Sequence, residues 1–313
     1  MKLIEHDNMV YAEVPTAIGT MYLRDFTKPD TEPGHATSYT MPEIINFEDI
    51  YEENIRANKK LVDAGAPLHD ISPKEKLIIC GDGPSLLEHD YEIDRHKLRI
   101  MALNRAASKV PLGRNDFVIV AECREFEIKV KLLDSDPPFG IFSPFSHPGI
   151  VAMDWRQRIF FTYGAQNLGT IELSRREWPN LPHFTSSPLV GFTALEAAWT
   201  MGFRDIGIVG YDLSRDALGR WRSRHEDTTM DCPEGSLEGQ NDAEVMTVFT
   251  RRGRQVKCGS QHELMYAEIV AHAIAFIRAA GGKITLFGDS IVRDDALGNR
   301  LEISDSIPEW LEE

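Results

Sequence analysis

In the stretch KLIICGDGPSLLEHD, residues 76–90, two glycines and a proline follow a run of strand character. Gly81 and Gly83 permit a tight turn and close backbone approach, and Pro84 suits the first turn of a helix. The amides of Ser85 and Leu86 would then point at an anion held at that helix start, which is phosphate-binding chemistry. Asp82 is the charged side chain of the turn. The dinucleotide fingerprint GxGxxG would need a third glycine where Leu86 stands and an acidic residue after the next strand, where the chain has Asn104, so an NAD site is disfavoured. Asn104 follows LRIMAL, and its amide can donate and accept hydrogen bonds to a base, ribose or phosphate. Glu122, in AECRE, stands after a third apolar run and suits ribose hydroxyls or Mg²⁺. Asp212, in VGYDLS, follows a further apolar run, a position where a carboxylate is expected on the active rim rather than buried. In GFTALEA the amides near Gly191 are free to face a ligand, while Thr193 and Glu196 have capping-box spacing, which makes Thr193 a helix cap. Each of these residues would also serve in an ordinary strand-turn-helix connection.

His225, Cys232, Cys258 and His262 are spaced too irregularly for a zinc site, and no metal site is assigned. His262, just ahead of a long helical stretch, is a candidate general base or a polar helix start. His272, among apolar residues of that stretch, reads as packed. The four cysteines form no CxxC pair, which fits a reducing compartment.

These positions need a scaffold that brings strand ends together. The runs KLIICG, LRIMALN, DFVIVAE, FGIFSPF, RIFFTY, RDIGIVGYD and KITLFGD alternate with helical stretches, the best being TALEAAWTMGF and ELMYAEIVAHAIAFIRAAGG. Such alternation predicts a doubly wound, Rossmann-like, mostly parallel α/β sheet with ligands at the carboxyl ends of its strands. Residues 1–74 read as an N-terminal accessory region, 75–290 as the nucleotide-binding domain with a lid-like insertion over 214–256, and 291–313 as an acidic peripheral tail. With 34 basic and 49 acidic residues the formal charge is −15, which disfavours a broad grip on nucleic acid. The basic cluster RRGRQVK, residues 251–257, reads as a solvated face. No apolar run reaches the length of a membrane span and the first residues lack a signal-peptide core, so a cytoplasmic protein is expected. A homo-oligomer is compatible with all of this.

Taken in order, IICGDGPSL, IMALNRA and GFTALEAAWTMGFRDIGIVGYDLS resemble the MptE-like family, named for an archaeal 6-hydroxymethylpterin pyrophosphokinase, and the related bacterial sialyltransferases of lipooligosaccharide. The later GRQVKCGSQHELMYAEIVAHAIAFIRAAGGKITLFGDS is similar to MptE-like proteins from phage genomes. The resemblance implies a nucleotide-dependent transferase. It assigns a cytidine nucleotide to Gly81, Asp82, Gly83, Pro84, Ser85, Asn104 and Gly191, and an acceptor-deprotonating His to His262 or His225. Asp82 replaces the family's usual Asn, and its charge beside phosphates would need Mg²⁺ or an outward rotamer.

Glycosyl transfer from a cytidine-activated sugar is the favoured expectation, with nucleotide or nucleotide sugar as donor and the acceptor unspecified. The alternative is diphosphoryl transfer from ATP to a hydroxymethylpterin-like acceptor, in which Mg²⁺ would be required and Asp82, Glu122 and Asp212 would be its natural oxygen ligands. A non-catalytic nucleotide-binding protein is the third reading.

Overall fold

The computed structural model describes residues 2–6, 9–16, 19–28, 48–91, 95–125, 128–163, 169–184, 189–214 and 245–312. Strands β1 (Lys2–His6), β2 (Met9–Thr16) and β3 (Gly19–Arg24) form an antiparallel N-terminal sheet. Helix α1 (Glu48–Ala64) leads into β4 (Ala66–Pro67), followed by β5 (Lys76–Cys80), β6 (Leu98–Leu103), β7 (Phe117–Val120) and β8 (Phe139–Phe142). After the short helix α2 (Pro148–Val151) comes β9 (Arg158–Phe160). The parallel pair β10 (Thr162–Tyr163) and β11 (His183–Phe184) brackets α3 (Gly169–Glu177). Helix α4 (Val190–Thr200) returns the chain to β12 (Asp205–Val209). The antiparallel hairpin of β13 (Val245–Phe249) and β14 (Gln255–Gly259) precedes α5 (Ser260–Ala279), β15 (Lys283–Phe287), β16 (Glu302–Ser304) and α6 (Ile307–Glu312).

Nine strands build the central sheet in the order β16-β15-β12-β5-β6-β7-β8-β9-β4, and every neighbouring pair is parallel. This is the expected α/β Rossmann-like fold. Parallel strands covered on both faces read as continuous apolar runs, which is why KLIIC, DIGIV and KITLF are buried from their second residue to their last. The sheet grows outward from β5 through β6 to β9, then resumes on the other side of β5 with β12. The direction therefore switches between β5 and β12, where doubly wound folds open a crevice at the strand carboxyl ends. Register completes the arrangement: Cys80 pairs with both Val209 and Ala102, so the chain leaves all three strands at one level.

The N-terminal segments share this core. Ala12, Leu23 and Phe26 are buried with it, and the Phe26 ring stands edge-on to Phe192 of α4 (5.5 Å) and Phe276 of α5 (5.9 Å). From α1, Asn54 donates to the carbonyls of Cys123 (2.8 Å) and Phe145 (3.0 Å), and Asn58 to those of Pro144 (2.9 Å) and Ser146 (2.7 Å). Two buried amides thus fix the loops that follow β7 and β8. Asn58→Ala would strand two buried carbonyls and is expected to lower stability by about 1–3 kcal/mol, read from the urea midpoint at unchanged slope.

The C-terminal segment differs from the expected peripheral tail. Strand β16 extends the sheet, and Ile307 and Trp310 are buried. Trp310 meets Phe287 edge-on at 5.4 Å, and the Lys76 ammonium sits over its ring at 4.7 Å. Of the expected lid-like insertion, residues 215–244 lie outside the described residues. Its later part is the β13–β14 hairpin, whose turn is fastened to the loop after β15: Thr250 Oγ1 donates to Asp289 (2.8 Å) and the Arg251 amide to the Ser290 carbonyl (3.1 Å). Among the described residues no helix is long and apolar enough to cross a membrane.

Candidate functional site

A cavity of about 520 Å³ opens at the switch point. The loops after β5, β6, β7 and β12 and the start of α4 wall it, with Tyr266 of α5 completing the lining. Of the expected nucleotide-binding residues, Gly81, Asp82, Gly83, Asn104, Glu122 and Gly191 line it and Pro84 and Ser85 do not; nor does Asp212, the expected catalytic carboxylate of the rim.

The glycine turn is built differently from the expected anion cradle. The Gly81 amide donates to the Val209 carbonyl (2.8 Å) and the Gly83 amide to that of Gly210 (2.9 Å), so the turns after β5 and β12 lie backbone against backbone. A Cβ on Gly83 would fall 2.2 Å from Asp212 Oδ2 and 2.5 Å from the Gly210 oxygen. The Ser85 amide, expected to meet a ligand anion, instead donates to the Asp212 carboxylate at 3.1 and 3.2 Å, and Ser85 Oγ donates to Oδ2 at 2.8 Å. The Leu86 amide donates to the Gly83 carbonyl (3.1 Å) within the 3₁₀ turn Pro84–Glu88. An internal carboxylate therefore occupies the anion position.

Asp212 is correspondingly corrected from rim residue to buried residue, at 2% exposure. Burial pushes its carboxyl up to about 6, although the hydroxyl and amide of Ser85 pull the other way. Its place on the chain, just past a strand end, suggested display; the close approach of the two glycine turns folds it inward. Thr193 is also corrected. Helix α4 starts at Val190, so Thr193 lies inside the helix, buried, with its hydroxyl 3.5 Å from that of Tyr163.

Asn104 opens the 3₁₀ turn Asn104–Ser108 with φ +46°. Its Oδ1 is buried and has no hydrogen-bond partner among the described residues. Leu213, also on the cavity wall, has φ +48°. Such conformations are costly for residues other than glycine and gather at functional sites, Asn tolerating them best. Gly191 faces the Tyr211 ring, which a Cβ there would approach to 2.8 Å, and accepts the Tyr211 hydroxyl on its carbonyl at 3.0 Å.

Asp82, Glu122 and Arg124 of the wall are paired. Asp82 Oδ1 accepts from Lys109 Nζ. Glu122 holds Arg124 through Nε (2.9 Å) and a terminal nitrogen (3.0 Å), and accepts the Arg124 amide (3.1 Å). Burial alone would raise the Glu122 carboxyl, but the bonds from Arg124 outweigh it and hold the carboxyl below its ordinary value. The three carboxylates suggested for Mg²⁺ thus answer to an ammonium, a guanidinium and a serine, and do not converge as a ligand set. Among the described residues, no group of three or more His, Cys, Asp or Glu could hold a metal ion.

His225, like Cys232, lies outside the described residues. His262 belongs to the first turn of α5, one turn ahead of Tyr266. His272 is packed as expected: buried, with Nδ1 2.7 Å from the Glu268 carbonyl and its pKa lowered by burial. Sequence reasoning missed Lys109, Arg105, Arg124, Tyr211 and Tyr266. Tyr211 had a signal, since it separates Gly210 from Asp212 in a quoted motif; Lys109 had none, standing 27 residues from Asp82.

A family model described as 6-hydroxymethylpterin diphosphokinase MptE-like matches residues 50–217. The chain belongs to the MptE-like family. The matched MptE-like segment contains both glycine turns, Asn104, Glu122, Gly191 and Asp212, and ends before His225 and His262. Among solved structures, this MptE-like chain is similar in fold to the MAf glycosyltransferase from Magnetospirillum magneticum AMB-1, with a TM-score of 0.54 and 17% identity over 87% of this chain. It spans 41% of the length of that protein. No curated protein matches it.

Proposed function

We propose that this MptE-like chain is a nucleotide-dependent transferase whose switch-point cavity holds the nucleotide, and that it transfers a glycosyl group from a cytidine-activated sugar. The observation that carries the nucleotide reading is Asn104: a cavity-lining carboxamide, its oxygen buried without a partner among the described residues, at the end of the strand beside the glycine turn. A buried acceptor left unpaired is costly, and an amino or hydroxyl donor of a bound nucleoside would satisfy it. Family membership and the fold shared with a glycosyltransferase support a transferase.

In the proposed reaction an acceptor oxygen forms a bond to the anomeric carbon as the bond from that carbon to the phosphate oxygen breaks. The nucleoside monophosphate leaves with the electron pair, and the acceptor proton passes to a histidine, His262 or His225, whose ordinary pKa lies near neutrality. Asp212 acts through Ser85, holding the glycine turn. The family description favours a second reading, diphosphoryl transfer from ATP. Its Mg²⁺ would have to find ligands other than the paired carboxylates described above.

Thermal unfolding with CMP, CTP, ATP and GTP, each with and without Mg²⁺, tests these readings. Ligand at 100 times Kd stabilises by about 2.7 kcal/mol. CMP and CTP are expected to raise the midpoint regardless of Mg²⁺, and Asn104→Ala to abolish that rise while changing the ligand-free stability by no more than about 1 kcal/mol. No response to any cytidine nucleotide would sink the glycosyl reading. A response to ATP that requires Mg²⁺ would put diphosphoryl transfer in its place.

A further inference from the structure

We infer that Lys109 is a built-in counter-ion for the phosphate end of the cavity: it cancels the charge of Asp82 from behind the wall, so that nucleotide phosphate enters without a divalent cation. The inference rests on the nucleotide reading above and concerns how the phosphate charge is met. Asp82 lines the cavity in the turn after β5, between two glycines whose amides are already spent on the last residue of β12 and on the turn that follows it. A bare carboxylate there would repel any phosphate entering the cavity. Its Oδ1 instead receives the ammonium of Lys109, whose side chain is 7% exposed against 17% for Asp82. Lys109 is not part of the cavity lining, so its charge acts through the Asp82 carboxylate.

The lysine is held in place from its own backbone. Its amide donates to the Ala106 carbonyl (3.0 Å), closing the 3₁₀ turn that Asn104 opens, and its carbonyl lies 3.5 Å from Lys131 Nζ. One ion pair therefore ties the turn after β5 to the turn after β6, the two that carry Gly81–Gly83 and Asn104. A charge taken partly out of water costs less when it is paired and hydrogen-bonded. Lys109 supplies that pairing at the place where a divalent cation would otherwise be required between carboxylate and phosphate.

Titration calorimetry with CMP and with cytidine, each with and without Mg²⁺, tests this on the wild type, Lys109→Met and the double variant Asp82→Asn/Lys109→Met. The wild type is expected to bind CMP equally with and without Mg²⁺. In Lys109→Met the affinity for CMP should fall about tenfold or more as a like charge faces the phosphate, with cytidine little affected. Mg²⁺ should recover much of that loss, and the double variant should regain it without Mg²⁺. A role limited to scaffolding predicts otherwise: CMP and cytidine would weaken together and Mg²⁺ would restore neither. That result would overturn the inference, as would a folded double variant that fails to regain CMP binding. The double variant removes both charges of the pair together, so it remains informative if Lys109→Met does not fold. A wild type that binds CMP only with Mg²⁺ would overturn the inference and leave the cytidine reading standing; one that binds CMP under neither condition would remove both.

Discussion

Gly210→Ala is expected to cost roughly 3–5 kcal/mol and to abolish nucleotide binding, because strain at a left-handed residue and overpacking against fixed backbone add together. Gly210 has φ +69°, and a Cβ there would lie 2.3 Å from the Gly81 oxygen and 2.8 Å from the Gly81 carbonyl carbon. Both are main-chain atoms of the glycine turn, whose position is set by β5 in the middle of the sheet. No rotamer change relieves the clash; the turn after β5 or the turn after β12 must move, and with it the bond from Gly83 to Gly210 and the Asp212–Ser85 contact. Gly253 supplies the control. It shares the left-handed conformation, φ +76°, yet has nothing within 4 Å of the added carbon. Gly253→Ala should therefore show the conformational cost alone, about 1–2 kcal/mol. Urea unfolding of both variants separates the two contributions, and equal losses would mean that the close approach of the turns contributes nothing.

The same contrast explains what the sequence could disclose. The seven apolar runs could be read because strands buried on both faces leave an unbroken signal over four or five residues, and the alternating helices follow from it. The outer strands left no such mark. Ala66–Pro67 is two residues long, and Glu302–Ser304 is largely exposed, so neither carries a burial pattern. They are strands because β9 and β15 offer them an edge, a fact of the folded sheet. Helix α4 begins without a side-chain cap at Leu189, so the Thr193 and Glu196 spacing offered a false start inside it.

At the site, the residue types and their order along the chain were legible, and their partners were not. The glycines suggested backbone close to a ligand; in the structure they bring backbone close to backbone, a requirement that leaves the same residue type. Asp212 meets Ser85 across 127 residues and Lys109 meets Asp82 across 27, separations that no local pattern encodes. Charge pairing therefore altered the chemistry more than the fold did. Three carboxylates that looked like a divalent-cation set became one buried capping group and two halves of ion pairs. The Asn104 carboxamide oxygen, buried at the wall without a partner among the described residues, is a group that only the folded chain could single out.

The buried carboxylate also gives stability a pH dependence of unusual sign. In the unfolded chain Asp212 titrates near 3.8, and in the folded protein near 6 because burial disfavours its charge. Between those values the folded state keeps a proton that the unfolded state releases, so raising the pH favours unfolding. The favourable contribution is whole below the lower value, is lost as pH climbs through the upper one, and amounts to about 3 kcal/mol at most. Carboxylates held below their ordinary pKa, Glu122 and Glu75 among them, contribute in the opposite direction and would mask the effect in the wild type alone. Comparison with Asp212→Asn removes them. An asparagine can still accept from Ser85 but does not titrate, so the stability of the wild type relative to this variant should decline between pH 4 and 7 and then level. Urea midpoints of the two proteins across that range measure the decline directly. A difference that stays flat would mean that Asp212 ionises as it does in water and that the turn is not sealed around it; a difference that rises with pH would mean that the Ser85 hydroxyl and amide stabilise the anion more than burial opposes it.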